Sequence, residues 1–360
     1  MQKVCFIGSF TAGGTERITF LLANELQKRY DDMELFVLNT KNRVPAFPLS
    51  EDIHYSNIPT SGIISVARYV RKYIIKNNID VLVNIEALVG LFTIPATIGL
   101  KCRNIVWEHA NYFQTQGSRW TRIVRKLWMR YADSYVVLTK RDYANFFKFE
   151  RPKCRLQNIY NPIMLLDNSS VEYSVDSSKI ISAGHLSPIK NFEIIPDIVK
   201  RYIGKYPNWV WEIYGGSSTE TYERLSKKIK DYGLEGKVIL KGRSNNMDDV
   251  YNHASIYALT SLQEGLPTVL LEAMLHGLPC VSFDIETGPD EIITNNEDGY
   301  IVPAYDEDKY AEALMLLMKS EKKRLEFSLK ARQNIRKFNI DESVLQWHNV
   351  ISSVENYDDN

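Results

Sequence analysis

The feature that most constrains this 360-residue chain is an alternation of short apolar runs with amphipathic ones, present in both halves. In the first half, 3–8, 34–39, 81–85, 104–108 and 134–138 read as strands, while 15–29 and 66–76 carry helical apolar spacing. The second half repeats the pattern, with strand-like runs at 179–184, 209–215, 238–241, 256–260 and 279–284 separated by helical stretches. Strand–helix alternation of this kind argues for parallel sheets covered on both faces. The length suits two such domains. The expected fold class is therefore α/β, with two doubly wound domains and a deep cleft between them. The turn-prone segment from Asn158 to Pro162 closes the first half, and the polar stretch 167–178 reads as a linker. The expected domains are 1–163 and 164–340. A C-terminal helix in 341–360, with Val344, Leu345, Trp347 and Ile351 on its apolar face, is expected to pack back on the first.

A hydrophobic content of 44% with 24% charged residues belongs to a folded chain. The formal net charge of zero hides an asymmetry. Residues 1–162 carry 23 Lys+Arg against 13 Asp+Glu, and residues 163–360 carry 21 against 31. A basic half points to a polyanion or an anionic surface. No zinc spacing and no aromatic–basic RNA signature accompanies it, so the expected surface is a membrane and not nucleic acid. Cys5, Cys102, Cys154 and Cys280 form no CxxC pair and read as buried reduced thiols, which suits a cytoplasmic protein. The N-terminus runs straight into a strand and lacks the apolar core of a signal peptide. The least charged stretch, 87–100, falls short of the roughly 20 residues that span a bilayer.

The most informative segment runs from Glu264 through Gly265, Leu266, Pro267, Thr268 and Glu272 to Gly277 and Pro279. Pro267 suits the first turn of a helix, and Gly277 with Pro279 suits its end. Glu264 then lies in the loop after a strand and Glu272 in the second helical turn. First-turn amides favour phosphate, and a carboxylate accepts from vicinal hydroxyls. The combination points to a nucleotide sugar, against the plain alternative of a surface helix with two solvated glutamates. Four further strand ends carry glycine: Gly184 followed by His185 and Lys190, Gly215 with Gly216, Gly242 with Arg243, and Gly288. All fall at one edge of the expected sheet, where backbone approaches a ligand closely.

On these residues the chain resembles the retaining glycosyltransferases of family 4, whose GT-B fold is two facing Rossmann-like domains. Carrying the resemblance are Glu264 and Glu272 with seven residues between them, the loop ending at Lys190, and Gly215, Gly216 and Gly242. In the first half, Gly13-Gly14-Thr15-Glu16-Arg17, Trp107-Glu108-His109 and Asn161-Pro162 look like the family's first loop, strand-end histidine and domain junction. The resemblance implies that Lys190 binds the donor diphosphate and Glu272 the ribose. It gives Glu264 and the backbone of the stretch Gly265, Leu266, Pro267 and Thr268 the transferred sugar and diphosphate. Arg243, just beyond Gly242, is implied to lie by the base through its backbone, with Gly216 as a further donor-side position. His109 is implied at the donor sugar from the opposite domain. Gly14 lets the first loop approach the diphosphate, and Thr15 and Arg17 are acceptor-side candidates. The catalytic set so implied is Glu264, Lys190 and His109. One departure is His185, where the family usually carries arginine; a neutral imidazole stabilises a departing diphosphate less well.

The resemblance also implies retention at the anomeric carbon, a UDP-sugar donor, no metal and no further cofactor. A glycan or polyprenyl-diphosphate-linked acceptor and a setting in bacterial surface polysaccharide assembly follow by the same association. Asp306-Glu307-Asp308 spells the DxD of metal-dependent transferases but sits at an expected helix start, where acidic residues need no metal. The competing readings are a nucleotide-sugar epimerase or phosphorylase on the same fold, and a non-catalytic nucleotide-sugar-binding protein.

The segment 118–131 has apolar residues at 120, 123, 124, 127, 128 and 131, which is helical spacing, with Arg119, Arg122, Arg125, Lys126 and Arg130 around them. One reading packs the stripe on the first domain and leaves a solvated basic face. The other lays the helix on an anionic membrane, with Trp120 and Trp128 at headgroup level, on the inner face of the cytoplasmic membrane.

Overall fold

The computed structural model describes residues 1–11, 13–114, 118–166, 173–216 and 218–353. Part of the expected linker and the last seven residues of the chain lie outside that set. The chain divides into two compact units: Met1–Pro162 with Ile340–Asn360, and Ile163–Asn339.

The first unit contains β1 (Gln2–Gly8), β2 (Met33–Asn39), β3 (His54–Asn57), β4 (Val81–Ile85), β5 (Arg103–Trp107), β6 (Ser134–Val137) and β7 (Arg155–Asn158). They form one parallel sheet in the order β3-β2-β1-β4-β5-β6-β7. Between the strands run α1 (Gly14–Arg29), α2 (Ile63–Asn77), α3 (Gly90–Thr97), α4 (Arg119–Tyr131) and α5 (Lys140–Glu150). The inner strands β1 and β4 are buried along most of their length because helices cover both faces. Val66, Val70 and Ile74 of α2 pack with Phe36, Leu38 and Leu82, while Val124, Trp128 and Phe146 pack with Val106, Tyr135 and Val137.

The second unit contains β8 (Lys179–Ala183), β9 (Val210–Tyr214), β10 (Val238–Gly242), β11 (Ile256–Leu259), β12 (Cys280–Asp284) and β13 (Gly299–Pro303). This sheet is also parallel, in the order β10-β9-β8-β11-β12-β13. Its helices are α6 (Ile195–Tyr202), α7 (Thr219–Asp231), α8 (Met247–Asn252), α9 (Thr268–Leu275), α10 (Pro289–Ile292), α11 (Glu307–Lys319) and α12 (Glu321–Asn334). Trp211, Ile213, Val281 and Phe283 meet Ile198, Tyr202, Leu225 and Leu314 in its core. The chain enters this unit at Ile163, whose amide donates to the Phe338 carbonyl at 2.8 Å, beside the place where it leaves.

The closing helix α13 (Ile340–Ser352) belongs to the first unit. Trp347 packs on Trp107 with ring centroids 4.6 Å apart, and the Arg103 guanidinium donates to the carbonyls of Ile351 and Ser353. All four cysteines are free and buried. Among the described residues, no helix is long and apolar enough to cross a membrane.

Candidate active site

Each sheet reverses its strand order once, between β1 and β4 in the first unit and between β8 and β11 in the second. Ligands of open parallel sheets bind at the carboxyl ends of the strands flanking such a reversal.

In the second unit, the loop after β8 carries Lys190 and the loop after β11 carries Glu264. Their side chains meet at 2.6 Å, Nζ to Oε1, and both are largely shielded from solvent. Two bonds fix the loops to each other: the Leu262 amide donates to the Ile189 carbonyl at 2.8 Å, and the Thr260 hydroxyl to the Lys190 carbonyl at 2.9 Å. Gly184 has φ 152°, and the aliphatic stem of Lys190 lies across it, 3.3 Å from where a Cβ would stand. Gly215, at φ 146°, is stricter, since a Cβ there would lie 1.8 Å from the Gly184 carbonyl oxygen. The Arg243 guanidinium lies over Gly216, 2.6 Å from its notional Cβ. The exposed His185 sits between Gly184 and Leu186, whose amide donates to the Gly216 carbonyl.

Gly265 and Leu266 lead into α9, which starts at Thr268 with Pro267 as its cap residue, one position later than the sequence suggests. Its cap residue makes no side-chain hydrogen bond to the first turn, and the helix begins from the loop after β11 that also carries Glu264. The Thr287 hydroxyl donates to the Glu264 carbonyl at 2.6 Å and holds that loop from the β12 side. Glu272 stands in the second turn of α9, and its Oε2 accepts from the Tyr251 hydroxyl at 2.9 Å. Tyr251 in turn stacks on the buried His276, ring centroids 5.2 Å apart. Sequence reading missed Tyr251 because it comes from α8, 21 positions away with no motif around it. The DxD segment is absorbed structurally: Asp306 caps α11 through the Lys309 amide, and Glu307 and Asp308 both pair with Arg201.

In the first unit, Gly14 opens α1 directly after the loop from β1, with Thr15 and the exposed Arg17 in its first turn. His109 follows β5, its ring 4.6 Å from that of Trp107. Its Nε2 is shielded from water with no hydrogen-bond partner among the described residues, and burial pushes the imidazole down to about 3. The segment around His109 is anchored from below. Arg125 places Nε 3.2 Å from Glu108 Oε2 and donates to the carbonyls of Tyr112 at 2.7 Å and Asn111 at 3.2 Å. The Tyr135 hydroxyl donates to the same Glu108 oxygen at 2.8 Å. Asp142 accepts from the Tyr112 amide, and burial pushes its carboxyl up to about 7.

This anchoring corrects the reading of α4. Arg125 and Trp128 were expected on the basic surface; their side chains are buried, Arg125 paired with Glu108 and Trp128 donating from its indole to the Ala87 carbonyl at 2.9 Å. The apolar stripe splits. Val124 and Trp128 turn inward, while Trp120 (58% exposed), Ile123 (42%), Leu127 (38%) and Tyr131 (62%) face solvent. Beside them, Arg119, Arg122, Lys126 and Arg130 are exposed as well.

Two doubly wound units in one chain, both with the strand order of a Rossmann sheet, define the GT-B class of fold. The family model for glycosyl transferases group 1 matches residues 169–334, and that for glycosyltransferase family 4 matches residues 12–165. Together they take in most of the chain, which belongs to this family of glycosyltransferases. An uncharacterized glycosyltransferase of Haemophilus influenzae is 28% identical over 98% of this chain and 100% of its own length. A Campylobacter jejuni protein, GalNAc-alpha-(1->4)-GalNAc-alpha-(1->3)-diNAcBac-PP-undecaprenol alpha-1,4-N-acetyl-D-galactosaminyltransferase, is 26% identical over 99% of this chain and 100% of its own. Anabaena HepE, solved in complex with UDP and glucose, superposes with a TM-score of 0.83 at 17% identity, covering 98% of this chain and 100% of that one. That last likeness is one of fold.

Proposed function

We propose that this chain is a retaining, metal-independent glycosyltransferase. It moves a hexose or N-acetylhexosamine from a UDP-sugar to a glycan or polyprenyl-diphosphate-linked acceptor in bacterial surface polysaccharide assembly. The observation that carries the reading is the Lys190–Glu264 pair at the reversal of the second sheet, beside strand ends where Gly184 and Gly216 admit the Lys190 and Arg243 side chains. Support for the donor comes from the UDP and glucose bound by HepE, and for the acceptor from the undecaprenol-diphosphate glycan in the Campylobacter relative's name.

In this reading the second unit binds the donor and the first takes the acceptor. Lys190 and the first-turn amides of α9 face the diphosphate, where charge grows as the bond from the anomeric carbon breaks. His185 adds a ring N–H donor there. Glu272, held by Tyr251, accepts from the ribose hydroxyls, and Arg243 over Gly216 lies by the base. Glu264 is shared between the cation and the transferred sugar, and His109 is the first unit's group for that sugar.

Thermal unfolding with UDP, GDP, ADP or NAD in excess tests the donor site. UDP at about a hundred times its Kd adds ~2.7 kcal/mol and raises Tm by several degrees, and Lys190→Ala removes most of that shift. Turnover of UDP-sugars with a lipid-linked acceptor, absent in Glu264→Gln, separates an enzyme from a binding protein. An acceptor-independent epimerised product would overturn the transferase reading.

The same proposal places the chain on an anionic membrane face through α4. Its exposed side carries four apolar residues beside four cations, the arrangement that suits a headgroup boundary. Vesicles rich in anionic lipid should sediment the protein at low salt, and Arg119→Glu with Arg122→Glu and Lys126→Glu should abolish this. Equal sedimentation of both proteins would remove α4 from the contact.

A further inference from the structure

Glu86 directly follows β4, at the reversal of the first sheet. Its backbone has φ 67° and ψ 141°, close to a region essentially confined to glycine. The chain adopts nearly the same angles at residue 62, φ 84° and ψ 140°, and there it uses glycine. The Glu86 amide donates to the Trp107 carbonyl at 2.8 Å, which ties its conformation to the end of β5. Neighbouring packing therefore holds a glutamate where a glycine would be relaxed.

No described residue engages that side chain. The residue is exposed, and among the described residues its carboxylate makes no hydrogen bond or ion pair. Its counterpart in the second unit, Glu264 after the fourth strand β11, is paired with Lys190. Along β5, Ile85 is in register with Trp107, so Glu86 stands beside Glu108 and one residue from His109. Glu108 is engaged by Arg125 and Tyr135.

A strained residue with an unused polar group at a sheet's ligand edge points to a ligand. The unpaired Glu86 carboxylate disfavours a phosphate at that point. A neutral polyol suits it, since a carboxylate accepts from two vicinal hydroxyls at once. We propose that Glu86 binds the acceptor sugar, its carboxylate taking hydrogen bonds from acceptor hydroxyls and so fixing which hydroxyl is presented for transfer. This rests on the glycosyltransferase reading and assigns the acceptor's sugar ring to the carboxyl edge of β4 and β5.

The test uses full-length wild type, Glu86→Gln and Glu86→Gly with a UDP-sugar and a synthetic polyprenyl-diphosphate-linked N-acetylhexosamine. In both variants the acceptor KM should rise about tenfold or more, as for loss of a hydrogen bond to a charged group. The donor KM and the Tm shift given by UDP should stay within twofold of wild type. Glu86→Gly should also unfold at a higher temperature than wild type, because glycine relaxes the backbone. An acceptor KM within twofold of wild type in both variants would overturn the proposal and leave the transferase reading standing. So would a change confined to the donor KM. A wild type that transfers nothing and gains no stability from UDP would overturn both.

Discussion

Replacing Arg125 with leucine distinguishes a buried anchor from a surface cation. The guanidinium is 2% exposed and its partner Glu108 is 3% exposed, so both charges are taken out of water. Leucine removes the ion partner at 3.2 Å and the donors to the Tyr112 and Asn111 carbonyls. Glu108 keeps the Tyr135 hydroxyl at 2.8 Å and the Ala110 amide at 3.3 Å, both neutral donors. An uncompensated buried charge of this kind costs about 3–5 kcal/mol. For a unit of this size the change lowers Tm by roughly 10 °C. Thermal unfolding followed by circular dichroism reads it, with Arg125→Leu combined with Glu108→Leu as the second arm. The double variant should recover much of the loss, because replacing both members of a buried pair with apolar groups is far cheaper than breaking it. A Tm drop under about 3 °C for the single variant would refute the reasoning, as would a double variant no better than the single. If Arg125 instead served as a membrane cation, leucine would spare stability and weaken vesicle binding.

Gly215→Ala places a methyl 1.8 Å from the Gly184 carbonyl oxygen at a φ of 146°. The overlap is with backbone, so we expect at least ~3 kcal/mol of lost stability in urea unfolding, together with loss of the UDP shift. His109 gives a pH signature. Its folded value of about 3 lies below the ordinary 6.5, so the neutral ring stabilises the fold fully above pH 6.5. That stability is lost as pH falls toward 3; between pH 6.5 and 5 the loss is roughly 1.5 kcal/mol. Tm measured over that range should fall in the wild type and flatten in His109→Asn; parallel slopes would place the titration on another group.

Strands β1, β4 and β12 were legible because each is an apolar run bounded by turn residues. The strands that escaped sequence reading lack that signal. In β3 the residues are His-Tyr-Ser-Asn and in β7 Arg-Leu-Gln-Asn, half-exposed edge strands with little to bury. Gly299 and Pro303 bound β13 and hide a short Tyr-Ile-Val strand among turn residues. In α4 the spacing was right and the facing incomplete. Six apolar positions spread over about 140° of the helix, too wide to turn wholly inward or outward. Which part is buried depends on Glu108, 17 residues upstream, because that carboxylate draws Arg125 into the core. Lys190 and Glu264 are each visible in their motifs, but their meeting across 74 residues is a property of the strand order. Glu86 gave no sequence signal at all: its strain exists only once φ is known.

The edges of the two sheets differ in chemistry although their topology is the same, and that difference supports the division of labour we propose more directly than the fold does. In the second unit, Gly184 and Gly216 make room at the edge for the Lys190 stem and the Arg243 guanidinium, and these cations with the amides of α9 supply the positive potential that a diphosphate requires. In the first unit the corresponding edge keeps Glu86 beside Glu108, with His109 held neutral by burial. On the proposal above, such an edge takes hydroxyls in preference to phosphate. The net charges run the other way: the basic half of the chain, with 23 Lys+Arg against 13 Asp+Glu, carries the acidic edge. Four of those cations stand on α4 beside Trp120, Ile123, Leu127 and Tyr131. If both proposals hold, a lipid-linked acceptor meets the two surfaces separately, its sugar at Glu86 and its membrane at the cations of α4.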